Sequence, residues 1–363
     1  MVIGLDIREA LDNPAGKGRY VAELMKGLPK MMSEDSFRFY CVSRPAHELP
    51  SNAEYVPVSS RGPLWHRAAG HDINATCDVF LSALSYLTPQ FVTKPVVLVV
   101  YDLIAFNKLA KPQKRAQLIE RVTLRRSVGQ AKRIVAISNS TARDLARRYP
   151  AASAKTDLAY PAADDSFRPY PASELSDLRQ RLRLEEFVLC TGTIEPRKNL
   201  PRLVKAYSYL PEQLREKYPL LLVGKLGWQH QETFDQITRT RMGKFVRHMG
   251  YVDDTDLTKL YAAATVFCYP SLYEGFGLPV VEAMQSGTPV VTSNVSSLPE
   301  AAGDAAVLVD PTKPKEITAG LRQLLDSADR RTELSKAGLQ HVKRFSWADT
   351  ARQVADSLRS AAA

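Results

Sequence analysis

SLYEGFGLPVVEAM, residues 271–284, combines two carboxylates with a glycine turn and the start of a helix. Glu274 precedes the turn, and Glu282 follows eight residues later, just after a proline that is typical of a first helical turn. Because Gly275 and Gly277 lack a Cβ, backbone N–H groups there can approach an anion. The helix start directs its unpaired N–H groups and positive dipole end to the same spot. The stretch therefore predicts an anion-binding turn between a strand and a helix of an α/β fold.

The two glutamates add hydrogen-bond acceptors to this turn. Glu274, on the loop, can accept hydrogen bonds from the hydroxyls of a hexose, while Glu282 can accept from both hydroxyls of a ribose. A diphosphate between them would be held by backbone N–H groups without a metal. This is the layout of a site for a sugar joined to a nucleoside diphosphate. The alternative is a strand, a turn and an ordinary amphipathic helix with a solvated Glu282.

Residues 270–284 resemble the Glu-x7-Glu signature of the family 4 retaining glycosyltransferases, and GTPVVTSNVSSLPE, residues 287–300, is similar to the branch with many bacterial mannosyl- and rhamnosyltransferases. The resemblance covers most of the C-terminal half and, more thinly, the N-terminal half. It implies the GT-B architecture, an α/β fold of two facing Rossmann-like domains whose last helix crosses back to the first domain. It also implies metal-independent transfer of a hexose with retention, with GDP-mannose favoured as the donor.

The whole chain alternates short apolar runs with helical patterns, which is typical of parallel βαβ units. PVVLVV, residues 95–100, predicts a buried parallel strand. A length of 363 residues with 45% hydrophobic composition favours two domains. A linker is expected after Pro161, where prolines and mixed charge cluster. With the resemblance, we expect an acceptor-binding domain, a nucleotide-sugar-binding domain and a C-terminal helix that packs back on the first domain, at 1–165, 166–345 and 346–363.

The net charge of +10 is concentrated in part of the first half. Between Lys108 and Arg133 lie nine basic residues and one acid, Glu120. Such a segment can contact acidic phospholipid headgroups near a lipid-linked acceptor, each cation contributing about 1 kcal/mol. A solvated basic face is the other interpretation. Nucleic acid is not expected as a partner, because no aromatic-interleaved patch or binding motif accompanies the charge.

Cysteine usage and the N-terminus indicate a reducing compartment. The four cysteines are scattered singly, which argues against a zinc site and against a secreted disulfide framework. The N-terminal residues begin a strand pattern without the features of a signal peptide. No apolar run approaches the roughly 20 residues that span a bilayer. We expect a cytoplasmic protein that meets a lipid-linked acceptor at the inner face of the cytoplasmic membrane.

A second glycine turn follows the first predicted strand. Gly16 and Gly18 flank a lysine just before a helical pattern, a geometry that suits an anion. The resemblance assigns Gly16 and Gly18 to a loop over the donor phosphates. The alternative is a plain turn between a strand and a helix.

Two cations follow the first predicted strand of the C-terminal half. Many family members have an arginine directly after a glycine here and a lysine five residues later. In this chain Lys198 matches the lysine, but Thr193 replaces the arginine, and Arg197 can supply the missing charge. Fixed cations stabilise the charge that develops on a leaving diphosphate. The alternative is two surface residues before a helix.

Tyr101 and Asp102 end the most apolar strand of the N-terminal half, at the edge where such folds bind ligands. Many family members have His-Asp at this place. Tyrosine cannot act as a base near neutral pH without a large pKa shift. Either Asp102 or the substrate handles the acceptor proton, or Tyr101 only shapes the pocket, and the departure keeps an impaired copy open.

Two further segments concern the nucleobase and a metal. Tyr251 and Val252 lie in a turn that resembles the family's nucleobase loop, which acts largely through backbone groups. Asp253, Asp254 and Asp256 contain the Asp-x-Asp spacing of metal-dependent glycosyltransferases, but they precede the helical pattern that starts at Leu257 and are predicted to be cap and first-turn residues. The histidines form no ligand set. No divalent metal is expected.

The leading hypothesis is a retaining glycosyltransferase for cell-surface polysaccharide synthesis that moves a hexose to a glycan or lipid-linked acceptor. Glu274 would orient the sugar, and the departing phosphate oxygen would help deprotonate the acceptor, as in the family. Its predicted donor-binding residues are Arg197, Lys198, Gly275, Phe276, Gly277, Leu278 and Glu282. The alternatives are a sugar-nucleotide 2-epimerase and a non-catalytic partner in a polysaccharide assembly complex, the latter motivated by Tyr101 and Thr193.

Overall fold

A computed structural model describes residues 1–11, 16–45, 48–107 and 114–363. Of the predicted basic segment Lys108–Arg133, residues 108–113 and the side chains of 114–116 lie outside the described part. The chain divides into two compact units. Of the described residues, the first unit contains Met1–Phe106, residues 114–161 and Ser346–Ala363, and the second contains Asn107 and Ala162–Phe345.

The first unit is built on a parallel sheet of seven strands. The strands are β1 (Val2–Asp6), β2 (Ser36–Cys41), β3 (Ala53–Pro57), β4 (Val79–Ser82), β5 (Val96–Val100), β6 (Arg133–Ala136) and β7 (Thr156–Leu158). Their order in the sheet is β3-β2-β1-β4-β5-β6-β7. All five residues of β5 are buried, as the apolar run predicts. The intervening helices are α1 (Lys17–Met31), α2 (Pro63–Thr76), α3 (Lys114–Gln130) and α4 (Asn139–Arg148).

The second unit repeats the pattern with six parallel strands. These are β8 (Val188–Thr191), β9 (Leu220–Val223), β10 (Val246–Gly250), β11 (Val266–Tyr269), β12 (Val290–Ser293) and β13 (Ala306–Val309), in the order β10-β9-β8-β11-β12-β13. The helices are α5 (Ala172–Leu182), α6 (Leu200–Ser208), α7 (Glu212–Lys217), α8 (Gln231–Arg239), α9 (Asp254–Ala263), α10 (Leu278–Gln285), α11 (Leu298–Ala302), α12 (Pro314–Leu325) and α13 (Ala328–His341). The two parallel sheets confirm the predicted α/β class of paired Rossmann-like folds.

The last helix, α14 (Trp347–Ala362), packs on the first unit. Ser346 caps it by accepting a hydrogen bond from the Asp349 N–H at 3.0 Å. It lies close against α1 at Gly27. A Cβ at this position would come within 2.9 Å of the Ala351 Cβ, so the absence of a side chain allows the close approach. In the part of the chain that the structure describes, no helix combines the length and apolar character needed to cross a membrane.

Candidate active site

Most of the predicted functional residues of the second unit lie where the strand order of its sheet reverses. Strands β9 and β10 lie on one side of β8, and β11 lies on its other side. The loops after β8 and β11 are therefore neighbours at the carboxyl edge. Parallel α/β sheets bind ligands at this kind of switch point, because the two loops diverge there and leave a crevice.

The glycine turn before α10 has the conformation that the sequence predicts. Gly277 has φ +110°, a region that side chains with a Cβ rarely adopt, and a Cβ there would meet Leu298 Cδ2 at 2.8 Å. The Ser297 hydroxyl donates hydrogen bonds to the carbonyl oxygens of Glu274 and Phe276, at 2.9 and 2.8 Å. Leu278 then begins the helix. The turn is therefore fixed by both steric exclusion and hydrogen bonds, and it places Glu274 and the helix start side by side.

The carboxylate of Glu274 is buried and almost fully hydrogen-bonded. Its Oε1 accepts from Lys198 Nζ at 2.8 Å, from the Tyr269 hydroxyl at 2.8 Å and from the Ser271 hydroxyl at 2.7 Å. Its Oε2 accepts from the guanidinium of Arg197. The structure thus unites three residues that the sequence places in two separate segments, and it adds two hydroxyl groups to them.

Two opposing effects act on the pKa of Glu274. Burial raises it, because the charged carboxylate loses hydration, but the positive charges of Arg197 and Lys198 and the hydrogen bonds outweigh burial and lower it to about 2. Glu274 is therefore ionised at neutral pH. Burial and the neighbouring Arg197 lower the pKa of the Lys198 ammonium, an effect that Glu274 opposes.

Arg197 lies between two acids and on a turn that is bonded to the Glu274 loop. Its guanidinium donates to Glu195 Oε1 at 2.8 Å as well as to Glu274. Its carbonyl oxygen accepts from the Leu272 N–H at 2.8 Å and from the Ser271 hydroxyl at 3.0 Å. The loops after β8 and β11 are thereby joined through backbone and side chain. Arg197 precedes Lys198 in the chain, and it stays a prediction that it supplies the charge of the arginine that Thr193 replaces.

Lys198 is a buried cation and not a surface residue. A Cβ on Gly192, whose φ is +116°, would come within 3.1 Å of the Lys198 Cε, so the glycine leaves room for the lysine chain. The ammonium donates to the Tyr269 hydroxyl and to Glu274. The interpretation of Arg197 and Lys198 as two solvated residues before a helix is wrong for Lys198, because the Glu274 carboxylate holds it inside the loop pair.

Glu282 is also buried, which contradicts the alternative of a solvated helix residue. It lies in the second turn of α10, and its Oε2 accepts a hydrogen bond from the Tyr261 hydroxyl at 3.0 Å. Tyr261 in turn shares a 2.7 Å hydrogen bond with the Thr191 hydroxyl at the end of β8. Burial, followed by the negative charge of Glu282, raises the pKa of Tyr261 well above its usual value, so its hydroxyl stays a donor.

The predicted nucleobase loop lies at the same carboxyl edge, after β10. Tyr251 is 56% exposed, and the ammonium of Lys225 lies 4.7 Å from the centre of its ring. Val252 is half-buried. Nearby, Asp253 caps α9 by accepting from the Asp256 N–H at 2.8 Å, and Asp256 pairs with Arg181. The cap and first-turn prediction for these acids is confirmed, and no metal-binding cluster occurs among the described residues.

The remaining predicted residues belong to the first unit. The buried Tyr101 hydroxyl donates to the Ala83 carbonyl oxygen at 2.8 Å, and burial raises its pKa well above 10. Both observations favour the interpretation that Tyr101 shapes its surroundings, because a phenol with a raised pKa stays protonated. Asp102 accepts from the Ile104 N–H at 2.8 Å. Gly16 has φ +54° just before α1, and Gly18 is buried inside that helix.

Sequence reasoning missed four polar groups around the glutamates: Glu195, Tyr261, Tyr269 and Ser271. Ser271 and Tyr269 lie three and five residues before Glu274, but nothing in their spacing distinguishes them from ordinary strand-end residues. Glu195 carried a weak signal, since an acid two residues before an unmatched arginine can hold it. Tyr261 is linked to Glu282 only through the packing of α9 beside α10.

Comparison with known proteins gives matches at the levels of family, sequence and fold. The family model described as "Glycosyl transferases group 1" matches residues 177–341. O-antigen chain mannosyltransferase B of Escherichia coli is 38% identical over 252 residues, which cover 68% of this chain and 65% of the relative. The serotype-specific mannosyltransferase WbdA of Escherichia coli is 33% identical over 235 residues, or 62% of this chain and 28% of the relative. The chain thus spans less than two thirds of either relative.

Two solved structures share the fold over the full length. Anabaena Alr3699/HepE, in complex with UDP and glucose, has a TM-score of 0.79 and 20% identity, covering 99% of this chain and 100% of its own. WaaG, a glycosyltransferase involved in lipopolysaccharide biosynthesis, has a TM-score of 0.78 and 16% identity, with 98% and 99% covered. At this identity the likeness concerns the fold alone, and it confirms the predicted GT-B class.

Proposed function

We propose that the protein transfers a hexose from a nucleoside diphosphate sugar to a glycan or lipid-linked acceptor in cell-surface polysaccharide synthesis. Residues 177–341 match the family model of the group 1 glycosyl transferases. The observation that carries the proposal is the buried cluster of Glu274, Lys198 and Arg197 at the switch point of the second sheet. It combines cations for a diphosphate with a carboxylate for sugar hydroxyls, directly beside a helix start.

The donor half of the reaction follows from this arrangement. Lys198 and Arg197 stabilise the negative charge that develops on the leaving diphosphate, and the backbone of Gly275–Leu278 donates to its oxygens. Glu274, ionised and fixed by its partners, accepts hydrogen bonds from the sugar and orients it. Glu282, on the neighbouring turn of α10, accepts from the ribose hydroxyls. Cations and backbone donors supply the charge stabilisation, so the mechanism requires no divalent metal.

Proton transfer from the acceptor does not involve Tyr101 as a base. Its hydroxyl is buried, donates to the Ala83 carbonyl and has a raised pKa. We propose that the departing phosphate oxygen takes the proton of the acceptor hydroxyl as the new bond forms on the same face of the sugar. This front-face path gives retention of configuration and needs no carboxylate nucleophile. Asp102 is the alternative base.

Mannose is the favoured sugar and GDP-mannose the favoured donor. Two Escherichia coli relatives are named as mannosyltransferases, one of an O-antigen chain. The exposed Tyr251 beside Lys225 gives the nucleobase loop an aromatic surface next to a cation. We place the reaction in the cytoplasm, at the inner face of the cytoplasmic membrane, because the four cysteines are unpaired and the segment Lys108–Arg133 is basic. No observation favours the 2-epimerase alternative.

The direct test is transfer activity in a glutamate variant. Wild-type protein is incubated with GDP-mannose and a membrane extract as the source of acceptor, without added metal, and mannose release and transfer are followed. Glu274→Gln should lower turnover by about a hundredfold or more, since a fixed acceptor on the reacting sugar is lost. The same variant should bind GDP several-fold more tightly, because Arg197 and Lys198 no longer pair with a competing carboxylate.

Glu185→Gln is the matched control, because the Glu185 side chain is exposed in the same unit and should leave both quantities unchanged. Weaker GDP binding in Glu274→Gln would show that the carboxylate does not compete with the diphosphate for the cations. Wild-type protein that binds GDP-mannose but never releases or transfers mannose would support a non-catalytic partner instead.

A further inference from the structure

One side of helix α3 packs against the core of the first unit. Leu124 and Val128 are buried in the core beneath it. Gln117 and Arg121 donate to the same carbonyl oxygen, that of Ala105, at 2.7 and 2.8 Å. These residues recur at helical spacing along one line. The helix is therefore held on the domain by one face, and its other face is presented outward.

The outward face begins with three large apolar side chains. Leu118 is 65% exposed, Ile119 61% and Val122 47%. Ten large apolar residues are exposed in the described parts of the chain, and three of them fall within these five positions. Scattered exposed leucines need no explanation, but contiguous ones mark an interaction surface. Leu118, Ile119 and Val122 are called the apolar triad below.

Arginines continue the same face. Arg125 and Arg126, one turn after the triad, are both exposed, and Lys132 is exposed just past the end of the helix. An outward face that combines large apolar groups with cations is typical of helices that lie in a membrane interface, where apolar side chains enter the acyl boundary and cations meet phosphates. A second copy of the chain is a poorer occupant, because a two-fold contact would bring the arginines of both copies together.

We propose that the outward face of α3 docks on an anionic lipid bilayer, with the apolar triad inserted and Arg125 and Arg126 against the headgroup phosphates. Only the role of this membrane contact rests on the proposed function: it would hold the enzyme at the surface that carries a lipid-linked acceptor. It adds to the electrostatic attraction of the basic segment a hydrophobic contact at defined residues. The electrostatic part is weakened by salt, whereas the apolar part is not.

The experiment is vesicle co-sedimentation of the full chain. Two vesicle compositions are compared, phosphatidylcholine alone and an equal mixture with phosphatidylglycerol, each at low and high salt. Wild-type protein should bind the anionic vesicles and retain part of this binding at high salt. Leu118→Ser/Ile119→Ser should lower the partition coefficient by roughly tenfold per residue and abolish the salt-resistant part. Arg125→Gln/Arg126→Gln should lower only the salt-sensitive part.

Leu64→Ser is the matched control for the apolar variant, because Leu64 is 66% exposed on helix α2 of the same unit and should leave binding unchanged. Arg147→Gln serves for the charge variant. Equal vesicle binding by wild type and the Leu118→Ser/Ile119→Ser variant would overturn the proposal. A second contrary result would be a wild-type dimer, detected by light scattering without lipid, that becomes a monomer in this variant while vesicle binding persists.

GDP-induced thermal stabilisation is measured in every variant and separates the two proposals. Intact GDP binding without vesicle binding counts against the membrane surface alone. Vesicle binding without any nucleotide binding counts against the proposed transferase function alone.

Discussion

The Glu274 carboxylate is buried at a cost in hydration free energy, and it is nevertheless strongly ionised. This carboxylate loses hydration in the loop pair but gains two cations and two hydroxyl donors, and the balance favours the charged form. Removing either cation would leave the buried carboxylate with only one positive charge to offset its lost hydration. The cluster therefore couples the position of the carboxylate to that of Lys198 and Arg197, the groups assigned to the diphosphate.

The depressed pKa of Glu274 predicts how this residue contributes to stability as pH changes. Its carboxyl has a pKa of about 2 in the folded protein, against an ordinary 4.5. The stabilisation is therefore fully present above the ordinary value and is lost as pH falls through the interval down to the folded pKa. The free energy of unfolding, measured by urea titration in wild type and Glu274→Gln, should differ by a constant amount at neutral pH. The difference should shrink below about pH 4.5.

A difference that stays constant down to the acid limit would mean that the carboxylate is not preferentially ionised in the folded state. Glu185→Gln, which removes an exposed carboxylate, should show little difference at any pH.

Tyr101 gives a second prediction for a single side chain. Tyr101→Phe removes the donor to the Ala83 carbonyl oxygen and leaves that acceptor unpaired in a buried place. Stability measured by chemical denaturation should fall by about 1–3 kcal/mol, while turnover at a permissive temperature should stay near the wild-type value. Tyr209→Phe, at an exposed tyrosine, should change neither. A large loss of turnover in a folded Tyr101→Phe protein would give the hydroxyl a role in the reaction.

At the scale of elements, the junctions between strands and helices position the chemistry. Tyr269 ends β11, Gly277 turns the chain into α10, and the carbonyl of Arg197 is bonded to the intervening loop. Because β8 and β11 are adjacent in the sheet, two loops that are far apart in sequence become one site. Residues on rigid strand ends keep their geometry better than residues on long free loops.

Gly277→Ala tests the turn before α10. The native φ of +110° is unfavourable for alanine, and the new Cβ would meet Leu298 Cδ2 at 2.8 Å. The variant should lose about 1–3 kcal/mol of stability and bind GDP more weakly, because the backbone donors of the turn shift. Gly243→Ala is the control, since a Cβ there meets nothing within 4 Å. If Gly277→Ala bound GDP as well as Gly243→Ala, the turn would not form the diphosphate site.

Sequence patterns captured the local parts of this architecture and missed the long-range ones. The buried strand Val96–Val100, the glycine turn and the Asp253 cap follow from periodicity and turn chemistry, which are properties of neighbouring residues. The bond between Arg197 and Glu274 joins residues 77 positions apart, and it depends on strand order. Strand order is set by the packing of whole sheets, so no local sequence pattern predicts it. Packing of α9 beside α10, which is also not a local property, hid Tyr261 as the partner of Glu282.

At the scale of the whole molecule, two parallel sheets carry different assignments. The second unit holds the residues proposed to bind the donor, and their hydrogen-bond partners lie in the same unit. The first unit carries the glycine turn before α1, the Tyr101–Asp102 strand end and the outward face of α3, and it is closed by α14. The family model matches residues 177–341, and the fold match extends over nearly the whole chain.

The central claim is that the Glu274–Lys198–Arg197 cluster forms a nucleoside diphosphate site. It is tested most directly by thermal unfolding of the full chain with GDP, UDP, dTDP and ADP in turn, without metal. A ligand that binds only the folded state at a hundredfold excess over its Kd stabilises it by about 2.7 kcal/mol. We expect a clear rise in Tm with at least one of the four, and the largest with GDP. No rise with any of them would contradict the claim.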